Sequence, residues 1–160
     1  MARQVFANHA GVTPMLSVLA GLACLEMFAV HLFVALKWPW IGWPLTILSA
    51  ASVLWLIGWI RSWKRFPHEL TADGLVLHMG SLRHVVVPLE RISFISATVS
   101  NAIIKARSCR NLVPVAYPNR VIHLREPMAG RKPVDAIAIR LDDPAAFDDA
   151  MRRAAVDVRS

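Results

Sequence analysis

Two ionisable side chains, Glu26 and His31, stand inside Met15 to Leu36, a run of 22 residues that is otherwise apolar. A charged or titratable group at membrane depth is costly unless it meets protein or water. Five residues apart on a helix, the two point about 140° away from each other, so they do not share a partner. Glu26 can close a hydrogen bond within its own hairpin, to Ser49, Ser52 or Thr46, or it can meet a helix of another membrane subunit. His31 can lie near an interface, contact a partner, ligate a pigment or haem, or stand on a proton path.

The remaining reactive residue types are scattered. His78 and His84 flank a hairpin and can approach across it, but no carboxylate or Cys is placed to complete a metal site. Cys24 lies in the apolar run and Cys109 far outside it, and neither belongs to a C-x-x-C pair. Ser108-Cys109 lacks a paired base, and no Gly-rich loop offers to cradle a phosphate. Glu69, Asp73, Glu90 and Glu126 fall on turns or strand edges rather than as a buried pair. No catalytic residue, metal site or firmly implied cofactor follows, and a non-enzymatic protein is expected. What is concentrated is positive charge: Arg61 to Lys132 holds 12 Lys and Arg against 4 Asp and Glu. Within it Lys105, Arg107 and Arg110 form a short strand-like run, with Lys105 and Arg107 on one face. Together with Arg61, Lys64 and Arg65 they suit anionic lipid or the acidic face of a partner. Nucleic acid is not expected, because no aromatic stacking platform accompanies these cations.

The elements that hold these residues divide the 160-residue chain in two. Mean hydropathy is +0.45 although the net charge is +7, because the apolar residues are unevenly spread. All six Trp fall between Trp38 and Trp63, and the long apolar runs end before residue 61. Met15 to Leu36 and Ile41 to Ile60 are each long enough to cross a hydrocarbon core of about 30 Å. Residues 1–65 therefore read as a transmembrane hairpin, with helices over about 13–37 and 41–63 joined by Lys37-Trp38-Pro39-Trp40. Pro44 is expected in the first turn of the second helix. The first segment is too long for a cleaved signal and lacks a small-x-small site, which reads as an uncleaved anchor.

Arg3, Arg61, Lys64 and Arg65 lie at the open end and one Lys in the connector, so both termini are expected in the cytoplasm. Trp38, Trp40 and Trp43 form the far aromatic belt, with Trp59 and Trp63 near the cytoplasmic interface. Ser17-xxx-Gly21, Ala20-xxx-Cys24 and Ser49-Ala50-Ala51-Ser52 offer small surfaces for close helix contact.

From Phe66 the period changes to two. Leu75, Leu77 and Met79 alternate with Val76 and His78; Val85 and Val87 with His84 and Val86; Ile137, Ile139 and Leu141 with Ala136, Ala138 and Arg140. Turn signals at Ala72-Asp73-Gly74, Gly80-Ser81, Pro118-Asn119 and Gly130 separate the runs, giving six to eight short strands over about 66–141. A helix then closes the chain, with Asp143 as N-cap, Pro144 at the first helical position and an apolar stripe of Phe147, Met151 and Ala154 or Ala155. The order of elements is α+β.

The stretch Phe66-Pro67-His68-Glu69-Leu70-Thr71-Ala72-Asp73-Gly74-Leu75-Val76-Leu77, continuing through Gly80 to Val87-Pro88-Leu89-Glu90-Arg91-Ile92, resembles the opening of bacterial pleckstrin-homology-like (bPH) domains that follow a transmembrane hairpin. The resemblance implies a membrane-anchored α+β protein, its residues 66–157 a PH-like antiparallel sandwich or barrel with a C-terminal helix. It covers the hairpin and residues 66–92, and the Pro144 helix fits the closing helix of that fold. Residues 100–135, with Pro114 and Pro118, do not match it.

The expected function is an accessory, assembly or scaffold subunit that docks on a larger integral membrane complex through Glu26, Ser17, Gly21, Ser49 and Ser52. An alternative is a sensor of anionic lipid or small anions, using Lys105, Arg107 and Arg110. A third is a cofactor-contacting subunit of a bioenergetic complex, with His31 as ligand. Pairing of an uncovered sheet edge with a second copy would make a homo-oligomer.

Overall fold

The computed structural model describes residues 3–113, 115–129, 132–154 and 156–159. The sequence signals at Pro114, Gly130 and Ala155 lie outside the described residues. Two long helices, α1 (Thr13–Lys37) and α2 (Pro39–Arg65), form an antiparallel pair and are long and apolar enough to cross a bilayer. A single residue, Trp38, makes the turn between them. Pro39 sits in the first turn of α2, so Pro44 falls inside the helix rather than in that first turn as expected. Near this tip the backbones approach closely: a Cβ on Gly42 would stand 3.0 Å from the Ala35 Cα.

The rest of the chain is α+β, as its order of elements suggests. One sheet holds β1 (Gln4–Phe6), β2 (His68–Thr71), β3 (Gly74–Met79) and β4 (Arg83–Val87), antiparallel and in that order. A second, mixed sheet contains β5 (Ile92–Ser96), β6 (Cys109–Asn111), β7 (Arg120–Met128), β8 (Val134–Ile139) and β9 (Asp157–Arg159) in the order β6-β8-β7-β5-β9. There β7 runs antiparallel to β5 and β8, while β6 is parallel to β8 and β9 to β5, so this sheet is not the antiparallel one expected, because a strand joins each of its two edges running with its neighbour. Two further helices, α3 (Asn101–Lys105) and α4 (Pro144–Arg153), complete the unit. Leu75, Leu77 and Val87 from the first sheet meet Ile95, Ile122 and Ile137 from the second, and Phe147 and Met151 of α4 fill the same core. As expected, Asp143 caps α4: its carboxylate accepts from the Ala146 N–H at 3.0 Å.

Two details differ from the periodicity. Alternation in β8 suggests one buried face, yet Ala136 and Ala138 are buried as well as Ile137 and Ile139. The cause is α3, whose Ile103 covers the second face together with Val99 and Val121. Lys105 and Arg107 do not share a strand face. The Ser100 hydroxyl accepts from the Ile103 N–H, winding 101–105 into a helix, and only 109–111 is extended.

Residues Gln4–Phe6, which the sequence assigns to the hairpin segment, pair with β2 in register Gln4↔Leu70 to Phe6↔His68. Beyond them the Ala7 carbonyl accepts from the Asp142 N–H, and the Asp142 carboxylate accepts from the N–H groups of His9 and Ala10. The chain on either side of the hairpin thus closes into one sheet, and both open helix ends lie on the same side.

The sheets also sit directly on that open end. Val12, Leu16 and Ala20 of α1's base pack with Ile60, Trp63 and Val113, and Val115 and Ala116 lean on the same cluster. Trp63 is 2% exposed, so it is covered by the sheets that sit on the open end of the helices. Gly80, in the β3–β4 turn, has φ +53°, and a Cβ there would stand 2.6 Å from Ser62 Oγ. Glycine is therefore required twice, for the left-handed backbone and for the approach to α2. The Ser81 N–H donates to the same Ser62 hydroxyl at 3.0 Å.

Candidate functional site

The helix pair distributes its polar residues unevenly. Ala20 faces α2, whereas Ser17 and Gly21 are exposed, and nothing lies within 4 Å of a Cβ built on Gly21. Glu26, near the middle of α1, is also exposed and has no hydrogen-bond or ion-pair partner among the described residues. Two of the three hydroxyls expected to satisfy it are used within their own helix: Thr46 donates to the Gly42 carbonyl at 2.8 Å and Ser52 to the Leu48 carbonyl at 2.9 Å. Ser49 is half-buried. Glu26 stands about 140° around α1 from Gly21, so the small residues and the carboxyl occupy opposite flanks. One partner helix does not cover both.

His31 lines an apolar cleft of about 390 Å³ between the helices, with Met27, Phe28, Leu32, Pro39 and Trp43. Its Nδ1–H donates to the Met27 carbonyl at 2.6 Å, leaving the lone pair on Nε2, which is buried without a partner. A ring held by its other nitrogen is the usual posture of a ligating histidine. Among the described residues no group of three His, Cys, Asp or Glu could hold a metal ion.

In the sheets, His78 and His84 face each other across β3 and β4 with ring centroids 6.2 Å apart, and His78 donates from Nδ1 to the Pro67 carbonyl. Behind them lies His68, almost wholly buried, whose Nδ1 accepts from the His78 N–H at 3.1 Å. Burial, and secondarily the neighbouring His78, push its pKa down to about 3. Its neutral form is thus built into the fold. The unfolded chain takes up this proton near pH 6.5, so the stabilisation is complete above that value and is lost as pH falls towards 3. Each pH unit below 6.5 costs up to about 1.4 kcal/mol. Thermal unfolding at pH 7.5 and pH 5.0 should show this loss in the parent chain and a flatter response in His68→Asn. Equal pH slopes in the two would contradict it.

A cavity of about 340 Å³ collects Cys109, His123 and Asp135, a juxtaposition that spacing along the chain does not announce. Burial pushes the Cys109 thiol up, with Asp135 adding to the effect. Burial also pushes the His123 imidazole down, opposed by Asp135 and helped by Arg159. Both neutral forms are favoured, the reverse of what a thiolate–imidazolium nucleophile needs.

Of the cations, Arg61, Lys64 and Arg65 are exposed at the end of α2. Arg107 and Arg110 line a common cleft, in which Lys132 takes the place expected of Lys105. The β4 edge of the first sheet exposes Arg83, His84 and Val86, and a cationic edge discourages pairing with a second copy. Sequence reasoning missed the Arg120–Asp148 pair, which links β7 to α4 through two hydrogen bonds of 2.8 and 2.6 Å. No family model, curated protein or solved structure matches this chain.

Proposed function

We propose that the protein is a non-enzymatic accessory, assembly or scaffold subunit of a bacterial inner membrane that docks on a larger integral membrane complex. In this reading α1 and α2 span the membrane and a PH-like domain is held at the cytoplasmic surface. The observation that carries the reading is the Glu26 carboxyl, exposed and unpartnered near the middle of an apolar helix. Around it Met15, Leu19, Leu22, Val30 and Phe33 are all exposed and form one flank of α1. A neighbouring helix with a hydrogen-bond donor would cover this flank and satisfy the carboxyl, which lipid cannot do.

Cations at the open end, Arg61, Lys64 and Arg65, support the cytoplasmic orientation. Two sheets sharing a core with a closing helix support the PH-like reading. The domain's seating on Trp63 and Leu16 supports a scaffold role, because it fixes the soluble face relative to the helix pair.

Glu26→Leu should insert normally yet recover about tenfold less of a co-migrating complex, since one interhelical polar contact contributes roughly 1–2 kcal/mol. Glu26→Gln, which keeps hydrogen-bonding capacity, should retain part of it. Native electrophoresis of mildly solubilised host membranes, with mass spectrometry of the co-migrating band, makes the comparison. Unchanged recovery with Glu26→Leu removes Glu26 from the account.

A further inference from the structure

The second sheet carries an open cleft of about 460 Å³ lined by Arg107, Cys109, Arg110, Lys132 and Val134. Among the described residues that line it, three of five are cations and none is an acid. Among the described residues, none of the three cations is ion-paired. Asp135 follows Val134 in sequence but lines the neighbouring cavity with His123, so it does not enter this one. Like charges left together around a concave surface repel, and an anion relieves that repulsion.

The cleft is placed by β6, the edge strand of its sheet. Three residues beyond Arg110, Val113 packs on Leu16, Ile60 and Trp63 at the open end of the helices. Three residues of chain span at most about 11 Å. Arg110 therefore lies within about 11 Å of a residue that packs on the open end of the helices, where the apolar part of α2 gives way to cations at Arg61. If α1 and α2 span a bilayer, this is the depth of the headgroups.

We propose that the Arg107–Arg110–Lys132 cleft binds the phosphate of an anionic phospholipid in the leaflet beneath the sheets. Guanidinium groups supply planar forks that match phosphate oxygens, and Lys132 adds a compact charge. Among the described residues no aromatic side chain lines the cleft to stack a base, which disfavours nucleic acid. The assignment rests on the helices spanning a membrane but not on a docked partner, so it stands or falls separately from the role of Glu26.

The test uses the full chain in detergent micelles, with native mass spectrometry of bound lipid during titration by phosphatidylglycerol or phosphatidylcholine. The parent should retain one phosphatidylglycerol at a concentration about tenfold lower than it needs for phosphatidylcholine, as expected for several charge-assisted bonds. Arg107→Ser/Arg110→Ser/Lys132→Ser should erase the preference. The equally large charge change Arg61→Ser/Lys64→Ser/Arg65→Ser should weaken binding less than about threefold, because those cations do not line the cleft and act on the lipid only diffusely. Arg107 is exposed, so Arg107→Ser alone provides a second variant that leaves the core intact and should weaken binding measurably. Equal losses in the two triple variants, or no preference in the parent, would overturn the site. Inorganic phosphate bound as tightly as phosphatidylglycerol would overturn the lipid assignment in favour of a soluble anion.

Discussion

Phe147→Ala should destabilise the protein by about 3–5 kcal/mol, the range for removing a fully buried aromatic side chain. Phe147 is wholly buried between the sheets, and its ring meets Phe6 edge to face with centroids 5.1 Å apart. Alanine is the better helix former, so any loss comes from packing rather than from the backbone of α4. Phe6 belongs to β1, the strand that precedes α1, so the cavity should loosen the N-terminal strand as well as the closing helix. Thermal unfolding of the full chain in detergent should show a fall of more than about 10 °C. Hydrogen exchange should rise together in β1 and α4. A fall of under about 2 °C, with β1 still protected, would mean that the two elements are not held by this contact.

Asp148→Ala should cost about 3 kcal/mol, because it strands a cation that is nearly out of water. Arg120 is bidentate to Asp148 and gives its remaining bond to the Asn119 carbonyl. The two side chains are only 13% and 11% exposed. With its carboxylate gone, Arg120 keeps one backbone acceptor and little access to solvent. Replacing both residues by leucine should recover most of the loss, since no charge then remains to desolvate. The comparison is a double-mutant cycle on thermal unfolding. A double variant as unstable as Asp148→Ala would place the cost in packing around α4 instead.

Local rules made the helices and the first sheet legible. An apolar run of 22 residues has few alternatives to a helix, and α1 covers the expected 13–37. Alternation together with the glycine turns marked β3 and β4, and Asp143-Pro144 marked the start of α4. What stayed hidden depends on partners distant in sequence. Three residues at 4–6 carry no strand signal of their own, and β1 exists because Leu70 and Glu69 lie beside it. In β9 too, three residues find an edge, at β5. α3 was legible in principle, because Ser100 ahead of Asn101-Ala102-Ile103-Ile104 is a capping signal, but the basic residues that follow read as a strand-like run.

The candidate sites divide in the same way. Glu26 and His31 stood out because polar residues are rare in such a run, whereas their surroundings depend on which flank α2 covers. The internal partners expected for Glu26 failed because Thr46 and Ser52 each satisfy a hydroxyl on the carbonyl four residues back. Arg107 and Arg110 were found from charge, but Lys132 joins them only because Val134 opens β8, the strand that pairs with β6. His68 gave no sign of burial, because its role follows from the turn of chain that brings the His78 N–H to its ring.

The central claim is that the Glu26 flank of α1 is covered by another membrane protein. Photocrosslinking amino acids placed singly at Leu19 and Val30, on that flank, and at Ser17 and Phe28, on the other, test it in native membranes. All four positions are exposed. A discrete protein adduct is expected from Leu19 and Val30, lost in Glu26→Leu, and lipid adducts alone from Ser17 and Phe28. Lipid adducts alone from all four positions would contradict it.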